Sequence, residues 1–311
     1  MMEQQRLISH RISPEALDIT LQKISERIKR QGDQPHFAVS QQLELLNQLS
    51  QFDFGRYLLQ NQGINGYWTH YMLTHPWFGR KTGKNNRGES LTALESFMLD
   101  RAPTMLATQQ RFEIFLKENQ KQVTNTAKLA CIPCGMMGEL VYLHFKDIES
   151  IYLVGIDYDA NALKDAEILA AQQGVLPWVT FIQQDAWHLN FQDEFDLISS
   201  NGLNIYEPDD EKVTELYRQF YKALKHGGKL VASFLTYPPT LTNQCEWNMS
   251  AINQADLLLQ KIIFVDIIGA KWQCFRSSEQ TRTQLASVGY HAIQFIYDEA
   301  KMFPTVVAFK K

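Results

Sequence analysis

One stretch constrains this chain more than any other: Lys128-Leu-Ala-Cys-Ile-Pro-Cys-Gly-Met-Met-Gly-Glu-Leu140. A short apolar run ends in a glycine turn and passes into what reads as the first turn of a helix. A strand hands a nucleotide-type ligand to a helix N-terminus in this way. Gly135 and Gly138 carry no Cβ to hold the backbone off a ligand, and Pro133 stiffens the turn before them. The pattern Pro133-x-Gly135-x-x-Gly138 is one substitution from the dinucleotide fingerprint, and alone it fits a bland turn as well as a cofactor site. The next strand adds weight. Ile151-Tyr-Leu-Val-Gly-Ile-Asp157-Tyr-Asp159 is apolar and ends in acid, about 20 residues beyond the glycines, where a carboxylate accepts hydrogen bonds from ribose hydroxyls.

The 311 residues, 45% apolar and 12% aromatic, suffice for one large or two ordinary domains with a substantial core. Met1-Met-Glu-Gln-Gln-Arg-Leu-Ile holds no apolar run long enough for a signal peptide. No segment approaches the roughly 20 apolar residues of a membrane span, so a cytoplasmic protein without a membrane partner is expected. Cys131, Cys134, Cys245 and Cys274 are too few for a disulfide scaffold. Cys131-x-x-Cys134 has redox spacing, but Cys131 falls on a buried strand end and the turn continues into Gly-Met-Met-Gly. With no second Cys pair or nearby His pair, no metal is expected. The net charge of -4 splits into 15 Lys+Arg against 12 Asp+Glu over residues 1–127 and 15 against 22 thereafter. That leaves no clustered cationic face for nucleic acid. A small-molecule partner is expected, and the oligomeric state, monomer or dimer, stays open.

Residues 1–126 read as helices with loops, a lid or substrate region. Leu17, Leu21, Ile24 and Ile28 recur at helical spacing behind the start signal Ser13-Pro14, and a second helix follows Ser40. Gly63-Ile-Asn-Gly66-Tyr67-Trp68-Thr-His70-Tyr71 reads as aromatic core packing or as a pocket wall, and the second reading makes Trp68 a substrate contact. Residues 78–88 read as an exposed loop. Its Gly79-x-x-x-Gly83-Lys84 fails as a phosphate loop, because the spacing is one residue short and Asn85 replaces the required Ser or Thr. Arg111, on a helix beginning near Thr108, is a surface charge or an anion anchor.

From Lys128 onward, strands alternate with helices, which predicts an α/β, doubly wound, mostly parallel sheet. A helix over 160–173 precedes a strand over 178–183 and then Gln184-Asp185-Ala186-Trp187. A strand over 195–199 leads into Ser200-Asn201-Gly202-Leu-Asn204-Ile-Tyr206, followed by a helix over 209–225 and a strand over 229–234. Every polar cluster falls at a strand's C-terminal end, where open sheets bind ligands. Residues 290–297 and 303–309 are joined by a link too short for a crossover helix, so they must pair antiparallel.

Over residues 127–311 this succession resembles the class I S-adenosylmethionine-dependent methyltransferases. The parts that carry it are the glycine turn, the acidic strand end at Asp157, Asp185, Phe195-Asp-Leu-Ile before Asn201-Gly202, Leu224-Lys-His-Gly-Gly-Lys-Leu230 and the closing hairpin. The resemblance implies a seven-stranded Rossmann-like sheet with a C-terminal antiparallel hairpin, with S-adenosylmethionine as cofactor. It sets Pro133, Cys134, Gly135, Met136 and Gly138 against the methionine half, and Asp157 on the ribose hydroxyls. Asp185 and the Ala186 amide read the adenine edge, with Trp187 or Tyr158 over the ring. Asn201 and Gly202 lie beside the methionine amino group and the sulfonium, facing the acceptor. Most members carry an acid near the end of the first strand. Here that place is Cys131, so ammonium recognition must come from backbone carbonyls or another side chain.

Methyl transfer from a sulfonium is an in-line displacement governed by positioning, and it requires no metal. The expected acceptor is an O or N atom of a small molecule. Tyr206, which follows Asn201-Gly202, leads the base candidates, with His70, Tyr67 and His75 behind it. Asn204 and Tyr237 join Trp68 and Arg111 as acceptor contacts. Three alternatives stand beside this reading: methylation of protein or RNA, supported only by the loop Arg80 to Arg87; a non-catalytic cofactor-binding regulator; and a nicotinamide dehydrogenase, against which Asp185 and the hairpin argue.

Overall fold

The computed structural model describes residues 10, 11 and 13–311; the stretch of residues 1–8 read above for a leader lies outside them. The chain divides into two compact units. One comprises Gln110–Asn248 and Gln273–Lys311, and the other comprises the described residues through Gln109 with Met249–Trp272. The division therefore falls inside a helix near Gln109 rather than at 126/127, and a later segment returns to the helical unit.

That unit holds α1 (Leu17–Gln31), α2 (Val39–Leu49), α3 (Asp53–Asn61), α4 (Gly66–Thr74), the single turn α5 (Gly79–Thr82), α6 (Ala93–Asp100) and the first part of α7 (Pro103–Gln120). Helix α1 starts behind Ala16, so Ser13-Pro14 precedes the helix instead of opening it. Thr20, Ile24 and Ile28 form its buried stripe, as their spacing of four residues requires. Asn65 and Thr92 cap α4 and α6 by accepting from Trp68 N and Glu95 N. The returning segment is α11 (Gln254–Lys261), numbered in chain order, and a π-helical stretch Ile262–Ile268. Arg27 donates to the Asp266 carbonyl at 3.1 Å, Gln62 to the Ile268 carbonyl at 3.2 Å, and Gln260 accepts from Thr104 N at 2.7 Å.

The other unit contains β1 (Lys128–Cys131), α8 (Gly138–Val141), β2 (Tyr152–Asp157), α9 (Ala160–Gln172), β3 (Val179–Gln183), β4 (Phe195–Ser200), α10 (Asp210–Ala223), β5 (Leu224–Ser233), α12 (Ser278–Val288), β6 (His291–Ile296) and β7 (Thr305–Phe309). The strand order is β3-β2-β1-β4-β5-β7-β6. Strands β1 to β5 pair parallel, and β7 runs antiparallel to both β5 and β6. The doubly wound sheet and its terminal hairpin are thus as the sequence predicts. Period-two alternation sorts the strands onto two cores. Ala130, Val154, Ile156 and Ile198 pack with Leu216 and Phe220 of α10 and Leu285 of α12. Leu129, Cys131, Leu153 and Leu197 pack with Leu169 of α9 and Phe115 of α7.

Candidate cofactor site

The order of the strands reverses between β1 and β4, and a ligand belongs beyond the C-terminal strand ends there. The turn after β1 is held down by three backbone hydrogen bonds. Ile132 N donates to Ser199 O at 2.9 Å, Cys134 N to Ile156 O at 2.8 Å, and Gly135 N to Asp157 Oδ2 at 2.9 Å. Asp157 Oδ1 accepts from Asp159 N at 2.9 Å. One buried carboxylate therefore fixes the turn and the start of α9.

The two glycines play different parts. Gly135 has φ +48°, the left-handed region that glycine enters without strain. A Cβ on Gly138 would come within 3.3 Å of Phe112 of α7, so the missing side chain makes room for a neighbouring ring. The helix that follows is a single turn, shorter than the sequence suggested. Met137 tucks its sulfur against β2, where a Cβ on Gly155 would meet it at 3.2 Å, and Met136 and Pro133 are half-buried.

Cys131 and Cys134 are free and buried. Burial, with Glu139 and Asp157 nearby, pushes both thiols well above the usual range. They are protonated, apolar-type groups, which removes the thiolate that redox or metal chemistry needs.

Asp185 organises its own turn: Oδ1 accepts from Trp187 N at 3.0 Å and Oδ2 lies 3.1 Å from His188 Nδ1. Trp187 donates its indole N–H to Lys212 O at 2.8 Å, and Ala186 is buried. Tyr158 is half-buried, its carbonyl accepting from Gln183 at 3.1 Å. These groups sit beyond β2 and β3, on the side of the switch point expected for adenine.

Beyond β4, Asn201 donates to Glu139 Oε1 at 2.7 Å and accepts from Ser233 Oγ at 3.4 Å. Ser233 accepts in turn from Arg111 Nη1 at 3.4 Å. Gly202 has φ +87°, and a Cβ there would lie 3.4 Å from the Arg111 guanidinium. Arg111 is 4% exposed, lies over the Phe303 ring at 4.6 Å, and its buried Nε has no hydrogen-bond partner among the described residues. Desolvation brings its pKa down to about 10 despite Glu139, Asp298 and Tyr206 close by. It is a buried cation with donor capacity to spare, not a surface charge.

Tyr206 ends a 3₁₀ turn, Leu203–Tyr206, clamped by fully buried Arg276. That guanidinium donates to Asn204 O at 3.0 Å, Glu207 O at 2.7 Å and Asp210 Oδ1 at 2.7 Å. Asn204 turns its side chain inward and donates to Tyr217 Oη at 2.8 Å. Tyr237 is half-buried beyond β5, tilted against Phe275.

Tyr67, Trp68 and His70 all lie on α4 in the helical unit. Trp68 is the hub of an aromatic cluster, stacked on Phe54 at 5.4 Å and edge-on to Tyr71 at 5.4 Å. Tyr67 is exposed. Burial lowers the His70 pKa to about 4, and His75 is lowered too, desolvation outweighing Asp100 at 3.0 Å.

Glu139 escaped sequence reading. It lies inside the quoted stretch, but as a lone acid in Gly-Glu-Leu-Val it looks like a solvated helix residue. Only the fold buries it. Arg276 was missed for the same reason.

A family model described as a methyltransferase domain matches residues 133–285. A solved structure from Bordetella parapertussis, described as a possible exported protein, is 41% identical, with 96% of this chain and 99% of that chain covered and a TM-score of 0.89. The apo structure of the S-adenosylmethionine-dependent methyltransferase SibL is 13% identical, covering 86% of this chain and 75% of that one, with a TM-score of 0.50; it shares the fold. No curated protein matches the chain. The matched methyltransferase domain, on a sheet of this order, makes this chain a member of the class I S-adenosylmethionine-dependent methyltransferase family.

Proposed function

We propose that this enzyme transfers the methyl group of S-adenosylmethionine to an O or N atom of a small acceptor. The observation that carries the reading is the line Glu139–Asn201–Ser233–Arg111 at the switch point, beside the turn anchored on Asp157. Pro133 to Gly138, Asp157, Asp185 with Ala186, and Asn201 with Gly202 would hold the cofactor. When bound, the cofactor supplies a sulfonium methyl already activated for displacement. The protein's task is then to orient the acceptor and exclude water.

Tyr206 is the proposed base. It lies within electrostatic reach of Arg111 on a turn fixed by Arg276, and a rigid support favours a defined trajectory. His70, neutral with a pKa of about 4, binds a proton too weakly to serve well near neutral pH. The Arg111 guanidinium suits an acceptor with an anionic or strongly hydrogen-bonding group. The helical unit is proposed to carry acceptor selectivity as the lid or substrate region. A cytoplasmic location is part of this proposal; no helix among the described residues is long and apolar enough to cross a membrane.

A screen of amines, phenols and carboxylic acids with labelled cofactor tests the reading. Label transfer that Tyr206→Phe cuts about 10²-fold or more, with cofactor affinity unchanged, is expected. Tight cofactor binding with no transfer to any class, and transfer to RNA or protein instead, would overturn the small-acceptor assignment.

A further inference from the structure

We propose that Glu139 binds the ammonium of the cofactor's methionine half, replacing the strand-end acid that Cys131 displaces. This rests on S-adenosylmethionine being the cofactor.

Position is the first argument. The Glu139 carboxylate hangs over the end of β1, its Oε2 3.7 Å from Cys131 Sγ. A carboxylate at 131 would meet it as a like charge in a buried space. The small neutral thiol instead leaves room for an acid arriving from the other side of the turn. Cys131 and Glu139 thus read as one relocated charge.

Preorganisation is the second. Asn119 of α7 donates one amide group to both Glu139 O at 3.1 Å and Ser199 Oγ at 3.0 Å, which pins the backbone. Asn201 pins the side chain through Oε1. Oε1 accepts from Asn201 and Oε2 from the Cys131 thiol, and a carboxylate with roughly four lone-pair sites can still accept from a ligand N–H.

Charge is the third. Among the described residues no lysine, arginine or histidine forms an ion pair with Glu139; nearby Arg111 directs its hydrogen bond to Ser233. An unpaired buried carboxylate is costly, and burial raises the Glu139 pKa. A bound ammonium offsets that cost, whereas a ligand without one leaves it standing.

The test is calorimetric titration of the full chain with S-adenosylhomocysteine and with its des-amino analogue, which lacks only the ammonium. Wild type is expected to prefer the first by about tenfold or more. Glu139→Gln keeps an acceptor for Asn201 and should lose a similar factor for S-adenosylhomocysteine, with the analogue's affinity unchanged within about twofold. Equal wild-type affinities for the two ligands, or equal losses in the variant, would overturn the proposal. If Glu139→Gln shows no thermal transition, the wild-type preference and a selective loss in Glu139→Asp decide the matter. A wild type that binds neither ligand sinks the cofactor reading itself, a separate failure.

Discussion

At Asp157 one carboxylate holds the turn and the start of α9, its two oxygens receiving Gly135 N and Asp159 N, and it is proposed to hold the ribose hydroxyls as well. Asp157→Ala should weaken S-adenosylmethionine binding by about 1–3 kcal/mol, the cost of leaving buried ribose hydroxyls and a turn amide without their acceptor. An unchanged dissociation constant in a folded variant would contradict the assignment. His70 gives a prediction in pH. Its pKa falls from 6.5 to about 4 on folding, so between these values the unfolded chain binds the extra proton. Stability therefore rises with pH across that window and is lost on acidification. Thermal melts at pH 7.5 and 5 should show a larger acid loss in wild type than in His70→Asn, by about 1–2 kcal/mol; equal losses would show that His70 is not the buried group responsible. The sequence made Asp157 legible because a strand-end acid after a glycine turn has few other uses. Burial, not spacing, gives Glu139 and Arg111 their character, and burial is known only once α7 is laid against the sheet.

Among the elements, α7 and the turn after β4 build most of the site. Beyond Gln109, α7 contributes Arg111, Phe112 and Asn119, and its end is tied to β5 by Lys229, which donates to Glu118 O and Oε2 at 2.8 Å. The sequence predicts this helix from near Thr108, whereas it begins at Pro103, and no local pattern reports the ties of its later residues to strands 80 to 122 residues away. The β4 turn depends on Arg276, whose partners are two main-chain carbonyls and Asp210. Arg276→Ala leaves those carbonyls buried and unpaired and should cost about 2–5 kcal/mol, read as a lower denaturation midpoint with a parallel fall in methyl transfer. A midpoint unchanged from wild type would mean that the turn holds without the clamp. Strands were easier to place. Apolar runs of four to six residues closed by polar ends left little choice, and only the short link between residues 297 and 303 was needed to set the direction of β7.

At the scale of the whole molecule, the sheet unit carries the residues proposed to hold the cofactor, and the helical unit is assembled from two separated lengths of chain. The second length, Met249–Trp272, was invisible to a reading that followed strand and helix alternation, because π-helical Ile262–Ile268 carries an almost uninterrupted apolar run without a clean period. Its partners lie some 200 residues earlier, and no local pattern reports such a distance. The site beyond β1, β2 and β4 is proposed to hold S-adenosylmethionine. Calorimetric titration of the full chain with S-adenosylmethionine and S-adenosylhomocysteine, with NADH as control, tests it most directly. Dissociation constants of about 1–100 μM are expected for the first two, with no heat from NADH; binding of NADH alone, or of none of the three, would contradict the assignment.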